Sequence, residues 1–384
     1  MHIGFLTPEY PHDKINHSGG LGSSLQNLAI SLQAKGVNIS VFVYGQKTNT
    51  EFDENGIHFY CIKQKTYKIG GFYLYRKHIN KKLNYWIQNT NIDLLEVPDW
   101  TGITAFMKFS IPVIMRFHGS DTYFCHIEKR PQKIKNRIFE QQAVNHALAF
   151  IAPTTFAGNV SKELFHIKNK TVKTIHYGVD LAKFNNEDPQ NFDSFSILYL
   201  GTLIRKKGVL ELPDIFEKVQ QKYPKATLLL IGSDSADIKT GSTSTWALIQ
   251  QRIEEKNLSG VQYLGKMPYS EVKKYIKKTH VCVFPSYAET LGMVTIESMA
   301  LQKAVVNTNI GWAKELITHQ EDGLLAYPAD HNAFSEAIKQ IFESEDFRKQ
   351  IQQSARKKVE NIFDIQQKAV ENIEYYEEIL ARQV

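Results

Sequence analysis

Cysteine is scarce in this 384-residue chain: Cys61, Cys125 and Cys282 are widely spaced, odd in number and free of any C-x-x-C pair. That excludes a disulfide framework and a cysteine-based structural zinc site, and a reducing cytoplasm is the expected compartment. No apolar run approaches the ~18–20 residues that cross a bilayer. Met1 leads straight into the strand HIGFLT, without the basic, apolar and small-residue succession of a secretory signal. Short-period repeats and low-complexity tracts are also missing. The Gly19, Gly20 and Gly22 loop after the first strand lacks G-x-G-x-x-G spacing, and Val41–Gly45 ends without an acid, so nicotinamide chemistry is disfavoured.

What remains is an ordinary globular composition, 42% apolar and 22% charged, long enough for two domains with separate cores. The formal net charge of +6 is uneven. Residues 1–180 carry 21 Lys+Arg against 13 Asp+Glu, or +8; the remainder carries 25 against 27, or −2. No recognised nucleic-acid module accompanies the basic half, so no nucleic-acid partner is expected. An anionic membrane surface is a further use for such charge, although solubility alone also accounts for it.

Apolar strand patterns alternate with amphipathic helical ones through both halves: HIGFLT, then SSLQNLAISLQAKG, then NISVFVY, and so on to TVKTIHYGVD. This predicts α/β domains with parallel sheets covered by helices. Lys77–Gln88 is expected to be helical, and Ser23 or Ser24 to cap the first helix. The polar stretch around Asn185–Ser194 predicts a linker. The expected domains are 1–185 and 186–365. The last segment, about 366–384, shows Val370, Ile373, Tyr376, Ile379 and Leu380 roughly on one face without a core of its own.

The richest stretch is Pro285–Ala300, PSYAETLGMVTIESMA. The buried-strand pattern VCVFPS runs into a turn and then a helix, with seven residues between Glu289 and Glu297 and Gly292 between them. A strand feeding a helix start presents free N–H groups and a positive dipole end, which suits phosphate. A second strand, ILYLG, runs into Arg205, Lys206, Lys207 and Gly208. Three cations before a helix start, itself positive, imply an anion there, although a solvated basic turn is the plainer explanation. His118 follows the strand IPVIMRF in the context RFHGSD, at a strand end where α/β sheets place ligands. Glu9, Asp99 and Trp100 also follow first-half strands.

In their order along the chain, the Gly19–Gly20 loop, His118, Gly178-Val179-Asp180, the basic turn before Gly208 and the Glu289–Glu297 pair resemble the group 1, or family 4, retaining glycosyltransferases. The resemblance runs nearly end to end. It implies the GT-B architecture: two Rossmann-like parallel-sheet domains facing each other across a cleft, with a terminal helix crossing back onto the first. It implies sugar transfer from a nucleoside-diphosphate donor, UDP-linked before GDP-linked, to an acceptor hydroxyl with retention of configuration. No cofactor is expected beyond that substrate. No strict D-x-D offers a carboxylate anchor for a metal, so none is expected.

The same resemblance assigns Lys207 and an arginine of the turn to the diphosphate. Many members carry that arginine directly after the glycine, where Thr202 stands here, so Arg205 takes the part with Lys206 as substitute. Glu297 is assigned to the ribose hydroxyls, Glu289 to the donor sugar, and the backbone of Leu291, Gly292, Met293 and Val294 to phosphate. Lys266 and Met267 are assigned to the base, Gly19 and Gly20 to the donor diphosphate, and His118 to the transferred sugar. Asp121 is a candidate to orient His118. Glu9, Asp99 and Trp100 are acceptor-side candidates, Trp100 as a sugar-stacking platform.

The expected acceptor is a glycan or lipid-linked sugar in envelope polysaccharide synthesis, with the basic domain resting on an anionic membrane. Starch and glycogen synthases share the PEYP…GGLG opening but usually carry Lys-Thr where His17 and Ser18 stand. Two rival functions remain compatible with the residues: a nucleotide-sugar epimerase of similar fold, and a non-catalytic sugar-nucleotide-binding protein.

Overall fold

In the computed structural model the chain divides into two units, Met1–Asp180 with Asp364–Val384, and Leu181–Phe363. The structure describes residues 1–16 and 19–382, so His17, Ser18, Gln383 and Val384 lie outside it, and all counts are of the described residues.

The first unit is built on β1 (His2–Thr7), β2 (Asn38–Gln46), β3 (Thr50–Glu54), β4 (Ile57–Lys63), β5 (Leu94–Pro98), β6 (Val113–Arg116), β7 (Ala149–Ala152) and β8 (Val172–Thr174). Their order is β3-β4-β2-β1-β5-β6-β7-β8. Every pairing is parallel except β3 with β4, an antiparallel edge that the sequence pattern does not announce, since TEFDE carries no apolar alternation. Helices α1 (Gly20–Ala34), α2 (Gly71–Thr90), α3 (Asp121–Ile127), α4 (Ile134–His146) and α5 (Thr155–Leu164) connect the strands. Central strands such as β5 are buried along their whole length, as continuous apolar runs in a doubly covered parallel sheet should be. Helix α2 begins six residues before the expected Lys77, because Gly70 in a left-handed conformation sets its start.

The second unit carries β9 (Ser196–Leu200), β10 (Thr227–Ile231), β11 (Val261–Tyr263), β12 (Val281–Phe284), β13 (Ala304–Thr308) and β14 (Leu324–Ala326). All are parallel, in the order β11-β10-β9-β12-β13-β14. Its helices are α6 (Leu212–Gln220), α7 (Thr245–Glu255), α8 (Tyr269–Lys278), α9 (Met293–Ala300), α10 (Ala313–Leu316), α11 (His331–Glu343) and α12 (Glu345–Ile362). The polar segment expected to be a linker is instead fastened to this unit. Asn186 donates to the Leu301 carbonyl, Lys303 Nζ to that of Pro189, and the Asp193 N–H to that of Lys278. Its composition is polar because its own backbone and side chains make the contacts.

Helix α13 (Ile365–Ala381) packs against α1 within the first unit. Gly178 makes the approach feasible, since a Cβ there would stand 2.5 Å from the Ile365 Cα. The Ile365 N–H donates to the Val179 carbonyl at 3.1 Å. Of the expected stripe Tyr376 and Ile379 are buried, Ile373 and Leu380 pack partly buried against the core, and Val370 is exposed; Lys368, Asn372 and Tyr375 also point inward. Polar residues face in because a buried ion pair meets them. Arg116 and Glu96 form a two-bonded pair at 2.6 and 2.9 Å, Asn372 accepts from Arg116, and the Tyr376 hydroxyl donates to Glu96 at 2.6 Å.

Candidate functional site

Each sheet has one place where strand order reverses, and loops at the carboxyl ends there form the natural ligand seat. In the second unit this switch lies between β9 and β12. The turn after β9 holds Arg205–Lys207, and the turn after β12 holds Pro285–Gly292. The two turns are locked together. The Lys206 carbonyl accepts the Tyr287 and Ala288 N–H groups at 2.8 and 3.2 Å. Gly208 stands at φ +68°, and a Cβ would fall 1.7 Å from the Pro285 carbonyl oxygen, so only glycine fits.

Lys207 Nζ reaches Glu289 Oε1 at 2.8 Å, both side chains partly exposed. Helix α9 starts at Gly292, which brings no side chain to its first N–H groups, and no acid occupies its first turn. Leu291 is buried and contributes main chain; Met293 and Val294 open the helix. Glu297 lies one turn in and shares a hydrogen bond with Tyr269, the first residue of α8. Burial raises its carboxyl to about 7, against the lowering effect of that bond. Lys266 and Met267 sit in the turn after the edge strand β11, Lys266 exposed.

Arg205 departs from expectation. Its Nε and Nη2 bind both oxygens of buried Asp237 at 2.8 and 2.7 Å, and this pairing drives the Asp237 carboxyl well below the usual range. One edge of the guanidinium is thus committed to a carboxylate, in a side chain that stays 35% exposed. Asp237 carries no signal in the sequence, because it lies in the unpatterned stretch GSDSADIK, 32 residues away.

In the first unit the switch lies between β1 and β5. Here the glycine loop and Glu9 form one device. The Glu9 carboxylate, buried, accepts the Gly22 N–H at 2.7 Å. A Cβ on Gly19 would meet both carboxylate oxygens at 3.0 Å, whereas Gly20 faces open space. Helix α1 therefore begins at Gly20 with Gly19 as its N-cap, and its dipole is met by the chain's own anion. Ser23 and Ser24 are inside the helix rather than capping it.

The turn after β5 is similar. Buried Asp99 accepts the His118 and Gly119 N–H groups at 2.9 and 3.2 Å, and burial lifts its carboxyl to about 7 against those bonds. Glu9 and Asp99 thus shape the backbone, and of the acceptor-side candidates Trp100 is the one that exposes its ring. Asp121 binds Arg130 and Asn136 at 2.9 and 3.0 Å, so it is not the group that orients His118.

That group is Tyr177, whose hydroxyl lies 2.6 Å from His118 Nδ1 with the rings stacked at 5.8 Å. Burial, with Arg116 nearby, lowers the imidazole to about 3, and burial raises the phenol, so both are neutral. Among the described residues His118 is the sole partner of the Tyr177 hydroxyl. Which of the two donates follows the imidazole tautomer, and a donating hydroxyl would leave the ring proton on Nε2. Tyr177 stands in IHYGVD, a segment whose glycine and aspartate carry the motif and whose tyrosine has no pattern to mark it.

Two parallel-sheet α/β units in one chain define the GT-B class of enzymes. The whole chain superposes on sucrose-phosphate synthase of Thermosynechococcus elongatus with TM-score 0.82, 20% identity and 99% of each chain covered. It superposes on Anabaena HepE in complex with UDP and glucose with TM-score 0.72, 18% identity, 98% of this chain and 99% of that one. Two family descriptions match in tandem, glycosyltransferase family 4 over residues 18–183 and glycosyl transferases group 1 over residues 182–358, and the chain belongs to this glycosyltransferase family. An uncharacterised glycosyltransferase of Methanocaldococcus jannaschii is 26% identical over 343 residues, 88% of this chain and 89% of its own. The capsular polysaccharide biosynthesis glycosyltransferase CapM of Staphylococcus aureus is 28% identical over 197 residues, 49% of this chain and 50% of its own.

Proposed function

We propose that this glycosyltransferase moves a sugar from a UDP-linked donor to a hydroxyl of a glycan or lipid-linked acceptor in envelope polysaccharide synthesis, with retention of configuration. One observation carries the donor half: Lys207 and the open start of α9 converge at the β9/β12 switch. Breaking the C1–oxygen bond leaves the electron pair on the departing diphosphate. Lys207 and the Met293 and Val294 N–H groups are the preorganised donors for that charge. The acceptor oxygen bonds to C1 on the face that the diphosphate leaves, and its proton passes to a departing phosphate oxygen. Lys207 is held by Glu289 until the diphosphate competes for it.

Glu297 accepts the ribose hydroxyls, and the turn at Lys266 and Met267 meets the base. His118 donates from Nε2–H to a hydroxyl oxygen of the transferred sugar, a role that a neutral imidazole fills and a general base does not. Trp100 is the acceptor-side stacking surface. No metal is required in this reading. The UDP preference is supported by the Anabaena neighbour's bound UDP, and the polysaccharide assignment by the capsular relative. The test is a panel of nucleotide-sugars read by thermal stabilisation and slow donor hydrolysis. A UDP-sugar is expected to give the largest shift, and no response to any donor contradicts the proposal.

A further inference from the structure

Two stretches of the first unit contain no acid at all. Residues 55–92 hold seven Lys+Arg and no Asp or Glu; residues 129–139 hold five and none. The fold brings their helices together. Phe72, in the first turn of α2, stacks on Phe139 of α4 at 5.3 Å, and Lys135 Nζ lies 4.3 Å over the Phe72 ring. Around this junction the chain exposes large apolar side chains: Ile69 at 87%, Ile134 at 78%, Ile138 at 55% and Phe72 at 45%. Exposed Lys68, Lys133 and Lys135 stand among them. Arg130 of the second stretch is taken up by Asp121 and Glu128. Isolated exposed apolar residues are commonplace, whereas a group of them with exposed lysines among them marks a docking surface.

The patch is tied to the acceptor-side turn. Arg76 of α2 donates to the Thr101 and Gly102 carbonyls at 2.8 and 3.2 Å. Gly102, at φ +53°, lets α4 press against that turn, since a Cβ would meet the Phe139 carbonyl at 2.4 Å. Both helices therefore pack on the turn that follows Trp100, through Arg76 of α2 and Phe139 of α4.

We infer that this face, formed by the starts of α2 and α4, docks onto an anionic phospholipid bilayer, with Ile69, Phe72, Ile134 and Ile138 entering the acyl boundary and the lysines meeting lipid phosphates. Charge selects the anionic partner. The aliphatic side chains select lipid over nucleic acid or another polyanion, because isoleucine gains nothing from a phosphate chain and gains fully from hydrocarbon. No helix among the described residues is long and apolar enough to cross a membrane. The patch is an interfacial seat that holds the Trp100 turn at headgroup level, where the head of a lipid-linked sugar lies. The inference rests on the proposed function and deepens it, by naming the surface that meets a membrane-held acceptor.

The test is co-sedimentation of the full chain with vesicles of equal parts phosphatidylglycerol and phosphatidylcholine, and with phosphatidylcholine alone. Partition onto the anionic vesicles is expected to exceed the zwitterionic case by about tenfold or more, and to fall as salt rises. The triple substitution Ile69→Ser, Ile134→Ser, Ile138→Ser should remove most of that partition, as should Lys68→Gln with Lys133→Gln. Phe72 and Lys135 are left intact because they hold the junction of α2 and α4, and melting curves like the parent's verify folding. No partition onto anionic vesicles, equal partition onto both, or partition unmoved by the serine substitutions overturns the inference. Retention on heparin without vesicle binding also overturns it and assigns the patch to an acidic macromolecule. The assay uses neither donor nor turnover, so it fails separately from the proposed chemistry.

Discussion

Helices α1 and α9 both begin beside the point where strand order reverses, both after a glycine N-cap that supplies no side chain. At α1 the buried Glu9 carboxylate fills the seat and binds the Gly22 N–H. At α9 no acid occupies the first turn, and the turns beside it supply Lys207 paired with Glu289. The same backbone motif thus has two fates. A helix start filled by the protein's own carboxylate is a structural joint; one left to glycine beside a lysine suits a bound anion. Within the glycine loop of the first unit, Gly19 and Gly22 pack on Glu9, whereas Gly20 faces open space.

Substitutions can break or sharpen that contrast. Lys207→Ala should lower donor turnover by ~10²–10³-fold, the usual cost of removing one preorganised donor of leaving-group charge; steady-state kinetics with the best donor measures it. Glu297→Gln should weaken nucleoside-diphosphate binding by roughly tenfold, about the value of one charge-assisted hydrogen bond, read by calorimetry.

Glu297 also carries a pH signature. Burial raises its native carboxyl to about 7, so the folded chain holds a proton that the unfolded chain releases earlier. Its contribution to stability is therefore lost as pH rises from the ordinary carboxyl value through 7. Nucleotide affinity has the opposite slope, rising from about pH 6 to 8 as the ionised acceptor appears; Glu297→Gln should flatten the affinity trend and lessen the stability slope, part of which Asp99 carries.

Glu9→Ala should cost ~1–2 kcal/mol in urea unfolding, as loss of a helix cap does, while donor affinity stays at the parent value. A loss of donor affinity matching that of Lys207→Ala would erase the distinction between the two helix starts. The smallest effect is expected for Tyr177→Phe. Nitrogen NMR should show His118 with its proton on Nε2 in the parent and a mixture of tautomers in the variant, with turnover reduced by roughly threefold to tenfold, within the range of a neutral hydrogen bond.

The α/β alternation, the parallel sheets and the turns after β9 and β12 are legible in the sequence, because buried parallel strands are continuous apolar runs and the turns follow them directly. The antiparallel β3 is not, since TEFDE is an exposed edge strand without alternation. Long-range partners are also hidden. Arg205 has the residue type and position of a phosphate ligand, yet Asp237 is forked onto it. The inward face of α13 is legible only in part: Tyr376 and Ile379 go in as expected, but Asn372 also goes in to meet the buried Arg116–Glu96 pair. Residue type shows which chemistry is available; only the fold shows which groups already satisfy one another.

The most direct measurement is a crystal structure of the chain with UDP. The β-phosphate is expected within hydrogen-bond distance of Lys207 Nζ and of the Met293 and Val294 N–H groups, with the ribose on Glu297. Phosphate density at Gly19 and Gly20 instead, or none near Lys207 at saturating UDP, would contradict the account.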